Sequence, residues 1–210
     1  KEVTIRVPPA AFNQQVQLLI ATHSVVTDLA LQAACGAIDS AVDITVNPPL
    51  QPSVPVEIGF TVFLSPPQTG VTTPSRIIIS RYDPGSGTCV PLPSSQNVSG
   101  HLVIARTSHF STFVAQQVSP AGDLSRVRVF PNPFYVRKQA LLTMDGLPAG
   151  ARVRIFTMRG EAVFDGNANG AGILGWDGNN KSGLQVASGL FLAVVQNGDS
   201  RKVLKVAVIR

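Results

Sequence analysis

The sequence predicts an all-β chain built from two tandem antiparallel β-sandwiches, and three observations carry that expectation. Apolar residues recur with a period of two over short runs, as where Val3, Ile5 and Val7 alternate with Thr4 and Arg6. The 210 residues include 18 Gly and 16 Pro but only 14% charged residues, a balance that suits short strands and tight turns rather than long solvated helices. A polar break, Val118-Ser-Pro-Ala-Gly-Asp123, separates two strand-rich stretches of opposite net charge. With 44% apolar residues, each stretch can supply its own core.

In the first stretch, 1–117, the opening strand Val3–Val7 ends at Pro8-Pro9. Further strands are expected over Gln15–Thr22, Asp28–Ala34, Ala41–Val46, Val54–Leu64, Ser75–Tyr82, His101–Thr107 and Phe110–Gln116. Turn chemistry stands between them at Asn47-Pro48-Pro49, Ser65-Pro66-Pro67, Asp83-Pro84-Gly85 and Pro93-Ser94-Ser95. A helix competes only over Val26–Ile38, where Leu29, Ala30, Ala33, Ala34 and Ala37 could share a face. Gly36 and the alternation of Leu29, Leu31 and Ala33 favour a strand there.

Residues 118–126 read as a linker, and 127–210 as a second domain. Its strands are expected over Val127–Phe130, Gln139–Met144, Ala151–Thr157, Glu161–Asp165, Gly172–Trp176, Gly189–Gln196 and Lys202–Ile209. Hairpin turns are expected at Met158-Arg159-Gly160 and Asn197-Gly198-Asp199. Seven short strands in such a length fit an immunoglobulin-like sandwich. Trp176, the single tryptophan, is expected as a plug between the two sheets.

The net charge of +5 is unevenly placed. Residues 1–117 hold five Lys/Arg against six Asp/Glu, and residues 118–210 hold twelve against six. The basic residues of the second part are spread along separate strands with little aromatic interleaving, which argues against nucleic acid and for a solvated basic face that meets an acidic cell-surface polymer. No apolar run is long enough to form a transmembrane segment. Lys1 in place of Met fits a processed end or a fragment, from which a signal peptide would already be gone.

Five blocks of the second part occur in a familiar order: Val127-Arg-Val-Phe-Pro-Asn-Pro-Phe134, Arg152-Val-Arg-Ile-Phe-Thr-Met-Arg-Gly-Glu-Ala-Val163, Trp176-Asp-Gly-Asn-Asn-Lys-Ser-Gly183, Val186-Ala-Ser-Gly-Leu-Phe-Leu192 and Lys202-Val-Leu-Lys-Val-Ala-Val-Ile209. Together they resemble the immunoglobulin-like domain of flagellar hook-capping proteins and the C-terminal sorting domains of type IX secretion cargo. The resemblance implies export across an outer membrane, then attachment at the surface or release, with secretion or anchoring machinery as partner. The first part, with Val3-Thr-Ile-Arg-Val-Pro-Pro-Ala-Ala-Phe12 at its start and Thr107-Ser-His-Phe-Ser-Thr-Phe113 at its end, resembles β-sandwich modules of large bacterial surface proteins. Those modules often carry an aromatic where this chain has Cys89.

Catalytic chemistry is sparse. The histidines, His23, His101 and His109, form no metal-protease pattern, and no Gly-x-Ser-x-Gly elbow occurs. No catalytic residue and no cofactor is expected. Gly170-Ala-Gly-Ile-Leu-Gly175 fits the dinucleotide pattern G-x-G-x-x-G, but Trp176-Asp177-Gly178 cannot open the helix that would meet phosphates. Asp165, Asn167, Asp177 and Asn179 offer oxygen ligands for Ca²⁺ without the usual ligand order, so turn formation is the preferred reading. Asn97-Val98-Ser99 is a glycosylation sequon by pattern. Cys35 and Cys89 suit a disulfide between strands in an oxidising compartment and equally suit two buried thiols.

The expected function is that of a non-catalytic extracellular structural or adhesive protein of the bacterial cell surface. Two alternatives stand beside it. One is a self-assembling filament subunit that pairs strands with other copies of itself through Val3, Ile5 and Val7 or through Val203, Lys205, Ala207 and Ile209. The other is the non-catalytic tail of a secreted hydrolase. A carbohydrate-binding face would want a row of aromatics, whereas the chain has one Trp and only Tyr82 and Tyr135.

Overall fold

A computed structural model describes residues 2–23, 28–36, 38–62, 76–97 and 101–210. The Ser65-Pro66-Pro67 loop, the outer ends of the Val54–Leu64 and Ser75–Tyr82 strands, and Val98 and Ser99 of the sequon lie outside the described residues. The fold is all-β with one short helix, and it divides into two compact units, Lys1–Val118 and Ser119–Arg210.

In the first unit, β1 (Val3–Arg6), β4 (Val56–Thr61), β8 (Leu102–Thr107) and β7 (Ser94–Asn97) form one antiparallel sheet in the order β1-β4-β8-β7. A second sheet runs β2-β3-β9-β5-β6, from β2 (Gln17–Thr22), β3 (Ile38–Asn47), β9 (Thr112–Gln117), β5 (Ile77–Asp83) and β6 (Thr88–Pro91). Period-two patterning explains how they meet. Val56, Ile58 and Phe60 of β4 and Val103 and Ala105 of β8 bury one face, against Val42 and Ile44 of β3, Ile77 and Ile79 of β5, and Phe113 and Ala115 of β9.

The stretch 28–34, expected as a strand, is instead helix α1 (Leu29–Cys35). Local chemistry overrides the alternation. The Asp28 carboxylate accepts the Leu31 N–H at 2.8 Å as an N-cap, and Gly36, with φ +70°, ends the helix with its N–H on the Gln32 carbonyl. Leu31 and Cys35, one turn apart, are the residues the helix buries. They pack with Ala41 of β3 and Val114 of β9. Those two residues alternate with Val42, Phe113 and Ala115 of the main core, so α1 covers the outer face of the five-stranded sheet.

The second unit is a sandwich of unequal sheets. One has the order β10-β12-β15, from β10 (Arg128–Phe130), β12 (Leu142–Asp145) and β15 (Leu174–Trp176). The other has the order β11-β17-β16-β13-β14, from β11 (Phe134–Tyr135), β13 (Arg152–Thr157), β14 (Ala162–Asn167), β16 (Gly189–Asn197) and β17 (Ser200–Ile209). Trp176 is 1% exposed and meets Phe134, Phe164 and Phe191 of the larger sheet at ring distances of 6.3, 6.3 and 5.9 Å. Its indole N–H donates to the Asn179 carbonyl at 2.8 Å, which leaves this polar handle satisfied inside the core.

Residues 119–126, read from sequence as linker, belong to this unit. Leu124 is buried in its core, and the Ala121 N–H donates to the Leu147 carbonyl. Lys202 of β17 donates to the carbonyls of Leu124, Ser125 and Val127 at 3.0, 2.9 and 3.2 Å, so a cation on a strand fastens the incoming segment. The Gly170–Gly175 run is a turn leading into β15. Gly172 has φ +73°, its N–H donates to Asn169, and its carbonyl accepts from Leu147.

Candidate interaction surfaces

Strand register sorts the solvent-facing side of the second unit's larger sheet. Val153 and Ile155 of β13 point into the core, which turns Arg152, Arg154 and Phe156 outward. Arg154 sits opposite Val194 of β16 and Phe156 opposite Leu192, while Val194 and Leu192 sit opposite Val203 and Lys205 of β17. The same face takes Leu190, Ala207, Gln196 and Arg201, and Tyr135 and Ile209 lie side by side at its β11 border. Leu190, Val203 and Ile209 are 56%, 49% and 38% exposed on this face.

Charge on this face is mainly positive, with Asp165 of β14 opposite Arg154 in the β13–β14 register. Arg152 is held by Asp165 of β14 in a two-pronged pair at 2.9 and 2.7 Å, and that pair raises the guanidinium pKa while lowering that of the carboxylate. Among the described residues, Arg154, Arg201 and Lys205 make no ion pair. Arg154 instead lies over the Phe156 ring at 5.6 Å. The result is an apolar stripe edged by unpaired cations.

β17 itself is not the open edge expected from Val203, Lys205, Ala207 and Ile209. It pairs along its length with β16, and on its other side it meets β11 in parallel at Val208 and Ile209. Ahead of β11, the Asn132 side chain takes the place of a strand, its Nδ2 donating to the Lys205 carbonyl and its Oδ1 accepting the Ala207 N–H, both at 2.9 Å. Pro131 and Pro133 flank it where the chain passes from the smaller sheet to the larger. A carboxamide between two prolines, Pro131-Asn132-Pro133, is the sequence signal for this cap.

β1 does lie at a sheet edge. The side chains of Val3 and Ile5 pack on the core, and Val7 follows the strand, 37% exposed. Arg6 approaches Glu57 at 3.9 Å, an exposed and weak pair. At an edge of the other sheet β2 exposes Leu19 and Ile20, 63% and 46%, with no charged residue in the strand.

Cys35 and Cys89 are joined as a disulfide, with Cα atoms 5.2 Å apart. The bridge ties helix α1 to strand β6, not strand to strand. Beside the N-cap of α1, His23 Nδ1 faces Asp43 and Nε2 faces Asp28, each at 2.8 Å. Asp43 also accepts from Thr112 at 2.6 Å. Both imidazole contacts are hydrogen bonds only when the ring is protonated, so the bonds to Asp43 and then Asp28 raise the His23 pKa. Asp28 is held below its ordinary value by the Leu31 N–H first and His23 second. Sequence reading passed over this cluster because its members are spread over 20 positions and come together only through β2–β3 pairing.

The oxygen ligands considered for Ca²⁺ are committed elsewhere. Both Asp165 oxygens take Arg152, and Asp177 accepts the Asn179 N–H at 2.9 Å and its side-chain amide at 2.8 Å in a turn. Asn167 closes the β13–β14 pairing opposite Arg152. Among the described residues no three His, Cys, Asp or Glu side chains gather into a metal-binding group. His109 is bound to the Thr107 hydroxyl through its backbone, burial lowers the pKa of its ring, and the Ser111 hydroxyl donates to the Tyr82 carbonyl.

No family model and no curated protein matches the chain. Among solved structures, it is similar to PorZ, an essential bacterial surface component of the type IX secretion system of Porphyromonas gingivalis, at 25% identity and TM-score 0.39 over 50% of this chain. It is also similar to dimeric latent PorU from the same organism, at 16% identity and TM-score 0.32 over 92% of this chain. The chain spans 15% of the first protein's length and 20% of the second's.

Proposed function

We propose that this chain is a non-catalytic structural or adhesive component of a bacterial cell surface, and that its second unit is the module engaged by secretion or anchoring machinery. The observation that carries the reading is the outward face of the five-stranded sheet, where Leu190, Val203 and Ile209 stand exposed among Arg154, Arg201 and Lys205. Such a face costs solubility unless a partner covers it, and its cations select an acidic partner surface. Of the five sequence blocks that resemble sorting domains, three supply the main strands of this sheet: 152–163 carries β13, 186–192 opens β16, and 202–209 carries most of β17. The first unit, braced by its disulfide, serves in this reading as the displayed part.

The test is to express the full chain in a bacterium with type IX secretion and to compare surface-exposed with retained protein. An Arg154→Glu, Arg201→Glu, Lys205→Glu variant reverses the charge of the face without touching the core. Loss of surface display by this variant, with its unfolding transition unchanged, supports the reading. Equal display of variant and parent would overturn it.

A further inference from the structure

We infer that the first unit associates with a second copy of this chain through β2, forming a closed two-fold pair rather than a filament. The inference rests on the first unit's sheet alone and stands or falls separately from the reading of the second unit. The phase of the β2–β3 ladder is set by the His23 N–H, which donates to the Ala41 carbonyl at 3.0 Å. Counting back through the register, Gln17, Leu19 and Ala21 bond to β3, while Leu18, Ile20 and Thr22 turn their N–H and C=O groups away from it. Among the described residues nothing pairs with those outward groups.

Three other strand borders are blunted in ways β2 is not, among them β17 at Lys205 and Ala207. Asn132 caps β17, and β1 is four residues long with Arg6 at its end. At the far side of the same sheet, the Leu92 N–H on the Ile79 carbonyl sets the phase of β6, so that Cys89 and Pro91 face outward. Pro91 has no N–H to offer, and Cys89 is tied to α1. β2 has six residues, no charge and no proline, with Leu19 and Ile20 exposed.

The strand is complementary to itself. Its outward groups at 18, 20 and 22 are symmetric about Ile20, so an antiparallel copy places Ile20 beside Ile20 of the second molecule and Leu18 beside Thr22, with donors meeting acceptors. Leu19 then lies against Ala21 on the outer face, and no charge opposes another. Because the opposite edge of the sheet keeps only the Cys89 N–H beside a proline, it cannot sustain a second ladder, and growth stops at two molecules.

Sedimentation equilibrium of the full chain over a concentration series tests this. The parent should shift from monomer to dimer. Ile20→Pro removes an N–H that β3 does not use, so the fold should persist while association weakens by about tenfold or more. Ile20→Lys and Ile20→Glu should each be monomeric alone and should pair when mixed, since the two side chains face each other across the axis. A parent that stays monomeric throughout, a dimer that survives Ile20→Pro unchanged, or charge variants that fail to pair on mixing would overturn the inference. Growth beyond the dimer would overturn the closed pair. If the proline variant fails to fold, concentration-dependent protection of the Leu18, Ile20 and Thr22 amides in the parent decides the matter, and its absence counts against pairing.

Discussion

Asn132→Ala removes the side chain that stands in for a strand along β17. Two hydrogen bonds disappear, from Nδ2 to the Lys205 carbonyl and from the Ala207 N–H to Oδ1. A typical net contribution is about 1 kcal/mol each, and the exposed site lets water recover part of it, so the loss should be roughly 1–2 kcal/mol. For a unit of this size each kcal/mol lowers the melting temperature by about 4–8 °C. Trp176 makes the measurement clean, because the single tryptophan is buried in the second unit and its fluorescence reports that unit alone. Asn132→Asp separates the two bonds: the carboxylate still accepts the Ala207 N–H but has nothing to donate to Lys205. Amide exchange at Ala207 should therefore accelerate in the alanine variant and remain slow in the aspartate variant. If the fluorescence transition of Asn132→Ala coincides with the parent's, the cap contributes nothing and the account of this edge is wrong.

The Cys35–Cys89 bridge closes a loop of 54 residues, for which loss of unfolded-chain entropy predicts about 4 kcal/mol of stabilisation. A Cys35→Ser, Cys89→Ser chain should lose stability of that order in the first unit, by circular dichroism, with no shift in the Trp176 transition. The His23 cluster should make the first unit pH-dependent. Because the folded His23 pKa lies above the unfolded value of about 6.5, its contribution is complete below that pH and fades as pH rises through the folded pKa. The urea midpoint of the first unit should fall across that rise in the parent, and His23→Gln should remove that dependence; an identical pH profile in both would show that the clamp is not coupled to folding. Asp28 acts at the acid end with the opposite sign, its contribution present above the ordinary carboxylate pKa and lost as pH falls through the depressed folded value.

Period-two alternation makes most of the architecture legible in the sequence, since Val56, Ile58 and Phe60, or Val153 and Ile155, can bury one face only as strands. It failed at α1 because Leu29, Leu31 and Ala33 alternate as a strand would, while the decisive signals were an Asp N-cap three residues before Leu31 and a buried pair, Leu31 and Cys35, four apart. Trp176 was readable as core from its size and rarity. The surfaces were less so. Alternation marks a strand but not its place in a sheet, which is why the apolar, basic-flanked run Val203–Ile209 read as an edge while β17 lies between β11 and β16. The basic face needed register, because Arg154, Leu192 and Lys205 come from three strands and meet only after pairing.

The two units handle the same hazard differently, and the difference bears on what each does. An exposed strand edge invites pairing by backbone groups that carry no sequence code, so a module that must travel and meet defined machinery gains from closing it. In the second unit the C-terminal part of β17 is covered by Asn132 and β11, and the exposed apolar and basic side chains stand on a sheet face, where groups such as Arg154 and Lys205 would discriminate among partners. The first unit keeps its large sheet closed at β6 by Pro91 and open at β2, which restricts backbone pairing to one strand and one geometry. A surface component built this way would present a specific face from one unit and a self-pairing edge from the other. Charge reversal on the face and proline at the edge should then act independently: the face variant should pair as the parent does, and the edge variant should be displayed as the parent is.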